Sequence, residues 1–257
     1  MLAFHPFGSQ LMHRVGAITE LWRYPVSSVT GEQVDKVEVS SAGMIGDRRY
    51  ALVDRATGIV AHPERDRRWQ KAIFIRSRTA ATGIEILVPE CDWQSVDDSG
   101  LAASLSEFLG FDADVRPYER TLEASRRDAF ALDRYDVSPL HLLTTASVDR
   151  LKTLHPGGNP DRRRFRPNIL MQSEPDICGF EELGWIDAGI RLGEVGGKVI
   201  APTKRCGFTI IEQEGIANDP EILRNVMRFG NRNMGVYCAP DASGMLRVGD
   251  GVFLSRH

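Results

Sequence analysis

RRYALVDRATGIVA, residues 48–61, is the stretch on which the fold class turns. Two β-favouring runs, YALV and IVA, flank Asp54, Arg55, Ala56, Thr57 and Gly58, and Gly58 can take the positive φ that a hairpin turn needs. Outward from there, KAIFIRSRTAATGIEILVP (71–89) repeats the plan and turns near Thr82 and Gly83. Upstream, VGAITELWRYPV (15–26) and DKVEVSSAG (35–43) alternate apolar and polar positions, the period of a half-buried strand. Short strands at this spacing predict a barrel or a strongly curved sheet.

A change of composition follows. SGLAASLSEFLGFD (99–112) places Leu101, Leu105, Phe108 and Leu109 on one helical face, with a serine ahead and Gly110 at the end. The Arg- and Asp-rich residues 112–136 read as a solvated connection, and a boundary is expected near 120, giving domains 1–120 and 121–257. The second part opens with SPLHLLTTASVDRLKTLH (138–155), a strand leading into a helix that Thr145 or Ser147 could cap. FRPNILM, AGIRLGE, GKVIAP, CGFTIIE, MGVYCAP and LRVGDGVFL then read as strands, with DPEILRNVMRF as one more helix, Pro220 in its first turn. The predicted class is α+β, mostly β.

Composition narrows the function. The chain has 257 residues, 42% hydrophobic and 26% charged, with a formal charge of -3. No window reaches the roughly 18 apolar residues of a membrane span, and the opening MLAFHPFGSQLMHR lacks a secretory core. Near-neutral charge argues against a protein built to neutralise nucleic-acid phosphates. A cytoplasmic protein without nucleic-acid or membrane partners is expected.

The usual catalytic signatures are absent: no GxGxxG after a strand, no phosphate loop, no HExxH and no GxSxG. Cys91, Cys178, Cys206 and Cys238 form no CxxC pair, which argues against structural zinc and against an iron–sulfur cluster. The first, second and last read as small buried hydrophobes, and the six scattered histidines receive no catalytic role. Arg162 and Arg163 read as a solvated basic loop. Arg166 and Asn168, around Pro167 at a strand mouth, could hold a polar ligand through a guanidinium fork and an amide. Cys206 follows Lys204 and Arg205 and precedes Gly207. Neighbouring cations favour its thiolate, making it the best candidate nucleophile or soft-metal ligand, although an inert cysteine at a strand start has the same spacing.

RRFRPNILM (163–171), TKRCGFTI (203–210) and LRVGDGVFL (246–254) together resemble the molybdenum-cofactor sulfurase C-terminal (MOSC) domain. WRYPVSSVTGE (22–32) and SAGMIGDRRYALVD (41–54) resemble the β-barrel domain that precedes it, and DVSPLHLLTTASVDRL (136–151) matches the bridging segment. Six stretches in order, over nearly the whole chain, are similar to the amidoxime-reducing members of that family.

The resemblance implies an N-terminal barrel-like domain packed on a MOSC barrel, and a molybdenum cofactor, a metal held by a pterin dithiolene. Cys206 matches the cysteine that ligates molybdenum, and a thiolate suits so sulfur-rich a site. Arg166, Asn168, Asp136, Ser138, Thr144 and Thr145 match the pterin pocket, joined by Arg205. Arg48 and Ser28 match the grip on the cofactor's phosphate end, beside Ser27, which stands where the family usually has lysine. Asp136 matches a residue near the metal, implying either a group that supports the metal ligands from behind or a proton relay. The implied activity is two-electron removal of oxygen from N-hydroxylated compounds. The sequence shows neither the iron–sulfur domain of some bacterial relatives nor the membrane anchor of the mitochondrial ones, so a separate reductase, ferredoxin or cytochrome is expected as electron donor. The departure TIIEQEG after Cys206, with Glu212 and Glu214, bears on substrate preference. Sulfur transfer through a Cys206 persulfide and simple cofactor carriage are the alternatives.

Overall fold

The computed structural model describes residues 11–118, 131 and 139–255. In chain order the strands begin with β1 (Met12–Arg23), β2 (Val26–Ser27), β3 (Glu32–Val34), β4 (Lys36–Ser40), β5 (Gly43–Met44) and β6 (Tyr50–Asp54). Then come β7 (Arg76–Ala80), β8 (Gly83–Leu87), β9 (Trp93–Ser95), α1 (Leu101–Leu109) and β10 (Ala113–Pro117). The remainder is β11 (Leu140–Thr144), α2 (Thr145–Leu154), β12 (Ile169–Ser173), β13 (Gly189–Leu192), β14 (Val195–Lys204), α3 (Pro220–Phe229), β15 (Asn233–Pro240), β16 (Gly244–Arg247) and β17 (Gly251–Ser255).

Seven strands close into a barrel in the order β12, β11, β15, β14, β13, β17, β1 and back to β12. β1 makes the closure possible. Its bulges, between Arg14 and Gly16 and between Ile18 and Glu20, bend it so that its first half pairs with β17 and its second with β12. β3 continues the sheet from the far end of β1. The parallel β11–β12 pair is bridged by α2, as a parallel connection requires. Val15, Ile18 and Leu21 of β1 point inward with Leu140, Leu142, Ile169, Val199 and Val236 to form the barrel core.

Three small sheets complete the fold: β10–β6–β2 and β7–β8–β9 from the first part of the chain, and β4–β5 joined by the late strand β16. A second core gathers Val26, Leu52, Trp69 and Ile86 with Leu101, Leu105 and Leu109 of α1. Each fully buried leucine contributes about 1.5–3 kcal/mol, enough to dock so short a helix. Gly110 ends it in the left-handed conformation at φ 84. The mostly β, α+β class and the barrel are as expected. β1 and β4, early in the chain, pair with the late strands β12, β17 and β16.

Several local readings need correction. After Tyr50–Asp54 the returning arm of the hairpin is a single bridge, Val53 to Val60. Residues 71–74 belong to a 3-10 helix (Arg67–Phe74) instead of a strand. CGFTIIE likewise opens with a 3-10 turn (Gly207–Ile210), because the Cys206 carbonyl accepts from both the amide and the hydroxyl of Thr209. The α2 cap is Thr144, whose hydroxyl accepts from the Ser147 amide. No serine caps α1; Gly100 stands at its start, its amide donating to Asp98. Among the described residues no helix is long and apolar enough to cross a membrane.

Candidate functional site

β1 delivers Tyr24, just past its end, to a place where segments distant in sequence meet. Its amide donates to Asp47 at 2.7 Å and its hydroxyl to the Pro167 carbonyl at 3.1 Å. Two guanidinium carbons face its ring, Arg166 at 4.1 Å and Arg48 at 5.4 Å from the centroid. Burial raises the phenol's pKa and outweighs the pull of those cations, so the ring stays neutral and its face remains a cation platform.

Arg48, Arg166 and Ser28 all adopt left-handed backbone, with φ of 47, 50 and 66. Such conformations are costly for residues with a Cβ and persist only where the surroundings enforce them. Arg48 pairs with Asp47 and reaches the Asn168 side-chain oxygen, Oδ1, at 3.5 Å. Burial works against its charge, but Asp47 and then Tyr24 prevail and hold its pKa above the ordinary value. Asn168 is fully buried. Its side-chain oxygen accepts from the His141 amide at 3.1 Å and its amide donates to the Trp22 carbonyl at 3.2 Å.

Arg166 donates one terminal nitrogen to the Val29 carbonyl at 2.5 Å; the other, Nη2, is buried with no hydrogen-bond partner. Burial pulls its pKa down to about 10, leaving it charged at neutral pH. Arg205 lies behind it, also lowered to about 10 by burial. Its guanidinium donates to the carbonyls of Met234 and Phe165, the latter at 2.9 Å, and to His141 Nε2 at 2.5 Å. A guanidinium can only donate, so His141 accepts at Nε2 and must carry its proton on Nδ1, which donates to the Arg166 carbonyl at 3.2 Å. Burial first, and Arg205 second, hold the imidazole well below its ordinary pKa. Thus Arg205 fixes the His141 tautomer, and His141 holds the strained Arg166 backbone. Gly235 makes the packing possible: at φ 78, a Cβ there would lie 2.6 Å from His141 Nε2 and 2.7 Å from the Leu142 carbonyl.

Cys206 is half-buried at the head of its 3-10 turn. Phe208, two residues on, lays its ring 5.3 Å from the Arg166 guanidinium, which ties the thiol to the arginine cluster. The expectation of a thiol acidified by its neighbours is overturned. Burial pushes the Cys206 pKa up, Glu64 adds to this, and the Phe208 amide, Arg205 and Arg232 compensate only in part. Burial is the main cause, and the Arg205 guanidinium, turned inward to His141 and Met234, offsets it only in part. Such a thiol ionises when a metal displaces its proton.

The structure therefore brings together Ser28, Arg48, Arg166, Asn168, Arg205 and Cys206. Ser28 donates to the Ala61 carbonyl at 3.1 Å, next to the Val29 that Arg166 grips, and Ser27 lies half-buried on β2. Thr144 and Thr145 use their hydroxyls within the fold. Thr144 caps α2 and donates to Glu182 at 3.0 Å, and Thr145 accepts from the Ser173 amide. Asp136 and Ser138 lie outside the described residues. Arg162 is no solvated loop residue: it pairs with Glu20 at 2.9 Å and covers the Trp22 ring. Arg163 chelates Asp161.

Sequence reasoning missed Tyr24, His141 and Glu182. Glu182, fully buried, accepts from Ser147, Thr144 and the Gly235 amide, and burial raises its pKa. Tyr24 stood in the quoted YPV stretch, but nothing in spacing shows that two distant arginines share its ring.

Three guanidinium groups against the adjoining Asp47, with one buried donor unpartnered, suit an anionic, acceptor-rich ligand. A cavity of about 320 Å³, lined in part by Gly43, Met44, Asp47, Arg48 and Tyr118, borders the cluster. Among the described residues no group of three or more His, Cys, Asp or Glu could hold a metal alone.

Comparison with known proteins identifies the family. The MOSC domain matches residues 132–253, and the MOSC N-terminal beta barrel domain matches residues 15–82. Mitochondrial amidoxime-reducing component 1 of Mus musculus is 23% identical over 294 residues, covering 95% of this chain and 83% of that protein. Mitochondrial amidoxime reducing component 2 of Bos taurus is 25% identical over 291 residues, covering 94% and 84%. The crystal structure of YuaD from Bacillus subtilis shares the fold at a TM-score of 0.51 and 11% identity, covering 96% of this chain and all of that one. The protein belongs to the MOSC family, its MOSC domain preceded by the N-terminal beta barrel domain of that family.

Proposed function

We propose that this chain binds a molybdenum cofactor and reduces N-hydroxylated compounds such as amidoximes, hydroxylamines and N-oxides. The observation that carries the reading is the buried, unpartnered Arg166 Nη2 in a cluster with Arg48 and Arg205, joined through Phe208 to the Cys206 thiol. Arg48, with Ser27 and Ser28 beside it, would hold the phosphate end of the cofactor, and Arg166 and Asn168 the pterin; Cys206 would be the protein's metal ligand. Arg205 acts through His141 on Arg166. Ser138, Thr144 and Thr145 would complete the pocket wall, and Asp136 would relay protons. Residues 1–120 and 121–257 would be the two domains meeting at this site, in a cytoplasmic protein.

When bound, the cofactor supplies two-electron redox chemistry at a metal. The balanced reaction takes an N–OH group, two electrons and two protons to N–H and water. The chain's part is to orient the anionic cofactor, keep the cationic cluster dry, and give up the Cys206 proton. The relatives' printed names, amidoxime-reducing components, support the substrate class. A sulfur-transfer role would call for a thiol already ionised at neutral pH, and burial works against that here.

The test is metal and pterin analysis of protein made in a cofactor-producing host, followed by viologen-driven reduction of an aryl amidoxime. Stoichiometric molybdenum and turnover are expected, with Cys206→Ala folded but inactive. Full turnover in Cys206→Ala would defeat the reading. Cofactor without turnover would leave a carrier, and a persulfide without molybdenum a sulfur-transfer protein.

A further inference from the structure

We propose that the exposed face formed by α3, the adjoining part of α2 and the turn after α3 docks an acidic electron-carrier protein. The partner's role rests on the reductase reading above; the docking face rests on the following observations.

Phe229, at the end of α3, is 43% exposed, and Met227 beside it 53%. An exposed phenylalanine is unremarkable alone, but this one is bracketed by two guanidiniums. The Arg228 carbon lies 5.2 Å from its ring centroid and the Arg150 carbon of α2 lies 6.0 Å away. Both arginines are exposed, and among the described residues no ion pair engages either. Arg224, one helical turn before Arg228, pairs with Glu221 and extends the cationic edge. The chain as a whole carries a formal charge of -3, so this cationic face departs from the protein's average. An apolar, aromatic centre ringed by arginines has the composition of a protein-binding spot, and its sign selects a partner with a negative surface.

The face also leads to the candidate metal ligand. Arg232, in the turn after α3, is exposed; its carbonyl accepts from the Arg205 amide at 2.8 Å, and its Nε donates to the Arg205 carbonyl at 3.0 Å. Arg205 is the residue before Cys206, so a carrier seated on Phe229 would lie a few residues from the thiol. Each N–O bond cleaved consumes two electrons, which two one-electron carriers would supply in succession while two protons enter and water leaves. α3 itself is firmly based, with Ile222 and Val226 fully buried in a cluster with Leu143, Leu151 and Phe165. Its outward residues can therefore be changed without loosening it.

The test uses the full chain and an acidic plant-type ferredoxin as the probe, with a basic cytochrome c as the charge control. Calorimetry should show ferredoxin binding that weakens as salt rises from about 50 to about 300 mM, and little binding of the cytochrome. The double substitution Arg150→Glu with Arg228→Glu should weaken ferredoxin binding at least about tenfold and flatten its salt dependence. Ferredoxin-driven amidoxime reduction should fall by a similar factor, while viologen-driven reduction stays at the wild-type rate. Unchanged ferredoxin binding in the double variant, preference for the basic cytochrome, or an equal fall in viologen-driven turnover would overturn the proposal. Wild-type protein that fails even with viologen would sink the reductase reading instead, and the binding comparison would still decide the docking face.

Discussion

His141→Phe isolates one link of the buried chain that sets the cluster. In the wild type the imidazole, 3% exposed, accepts from Arg205 at 2.5 Å and donates to the Arg166 carbonyl at 3.2 Å. Phenylalanine fills the space and retains the edge contact with Tyr237 but offers neither group. Arg205 keeps its bonds to Met234 and Phe165, so it loses one charge-assisted bond of about 1.5–3 kcal/mol, and the Arg166 carbonyl loses a neutral one of about 0.5–1.5 kcal/mol. The expected destabilisation near pH 7.5 is about 2–4.5 kcal/mol.

The pH dependence sharpens this. Burial and Arg205 hold the folded imidazole well below its ordinary value of 6.5, so beneath that pH the unfolded state takes up a proton that the folded state refuses. Wild-type stability therefore falls as pH drops through 6.5, by about 1.4 kcal/mol at pH 5.5, and His141→Phe lacks this loss. The gap between the two proteins should narrow by that amount between pH 7.5 and 5.5 in urea unfolding. A gap that stays constant or widens on acidification would mean the folded imidazole accepts a proton, and the tautomer assignment would fall with it. Nitrogen-detected NMR of the wild type should show the proton on Nδ1.

Gly235→Ala should cost about 3–5 kcal/mol in the same assay, since it combines a left-handed backbone with a Cβ driven into His141 and the Leu142 carbonyl. Glu182→Ala strands the donors of Ser147, Thr144 and Gly235 in the interior and should cost about 3–5 kcal/mol. Glu182→Gln, which keeps an acceptor, should cost distinctly less. Arg166→Lys retains the charge but not the planar fork, so cofactor retained through gel filtration should fall at least about tenfold, with the melting temperature little changed.

The fold was legible where the period of the side chains was set by one buried face. Val15, Ile18 and Leu21 on β1 and Leu101, Leu105 and Leu109 on α1 were readable for that reason. It was misread where local hydrogen bonding overrode propensity, as in the β-branched FTII run that Thr209 folds back onto the Cys206 carbonyl. At the site, Cys206, Arg48, Arg166 and Asn168 were visible because their residue types are rare in such contexts and their stretches resemble a known family. His141 was passed over because a histidine's meaning depends on its partner, and Arg205 is 64 residues away. The thiol's acidity was misjudged because sequence spacing does not show burial, which outweighs the help of Arg205, whose guanidinium turns inward.

That inward turn links the parts of the molecule. Arg205 secures His141, His141 holds the Arg166 backbone, and the Arg166 guanidinium returns across the Tyr24 ring to the Val29 carbonyl. Tyr24 follows β1, which closes the barrel, while Val29 belongs to the second core. The cationic cluster is thus clamped from both cores at once, so a ligand that neutralises it would tighten both together. Anion binding should accordingly raise the stability of the whole chain instead of ordering one loop, and hydrogen exchange would show protection gained at Val26 of β2 and Ile169 of β12 alike. Protection confined to one core would break the clamp into two independent halves.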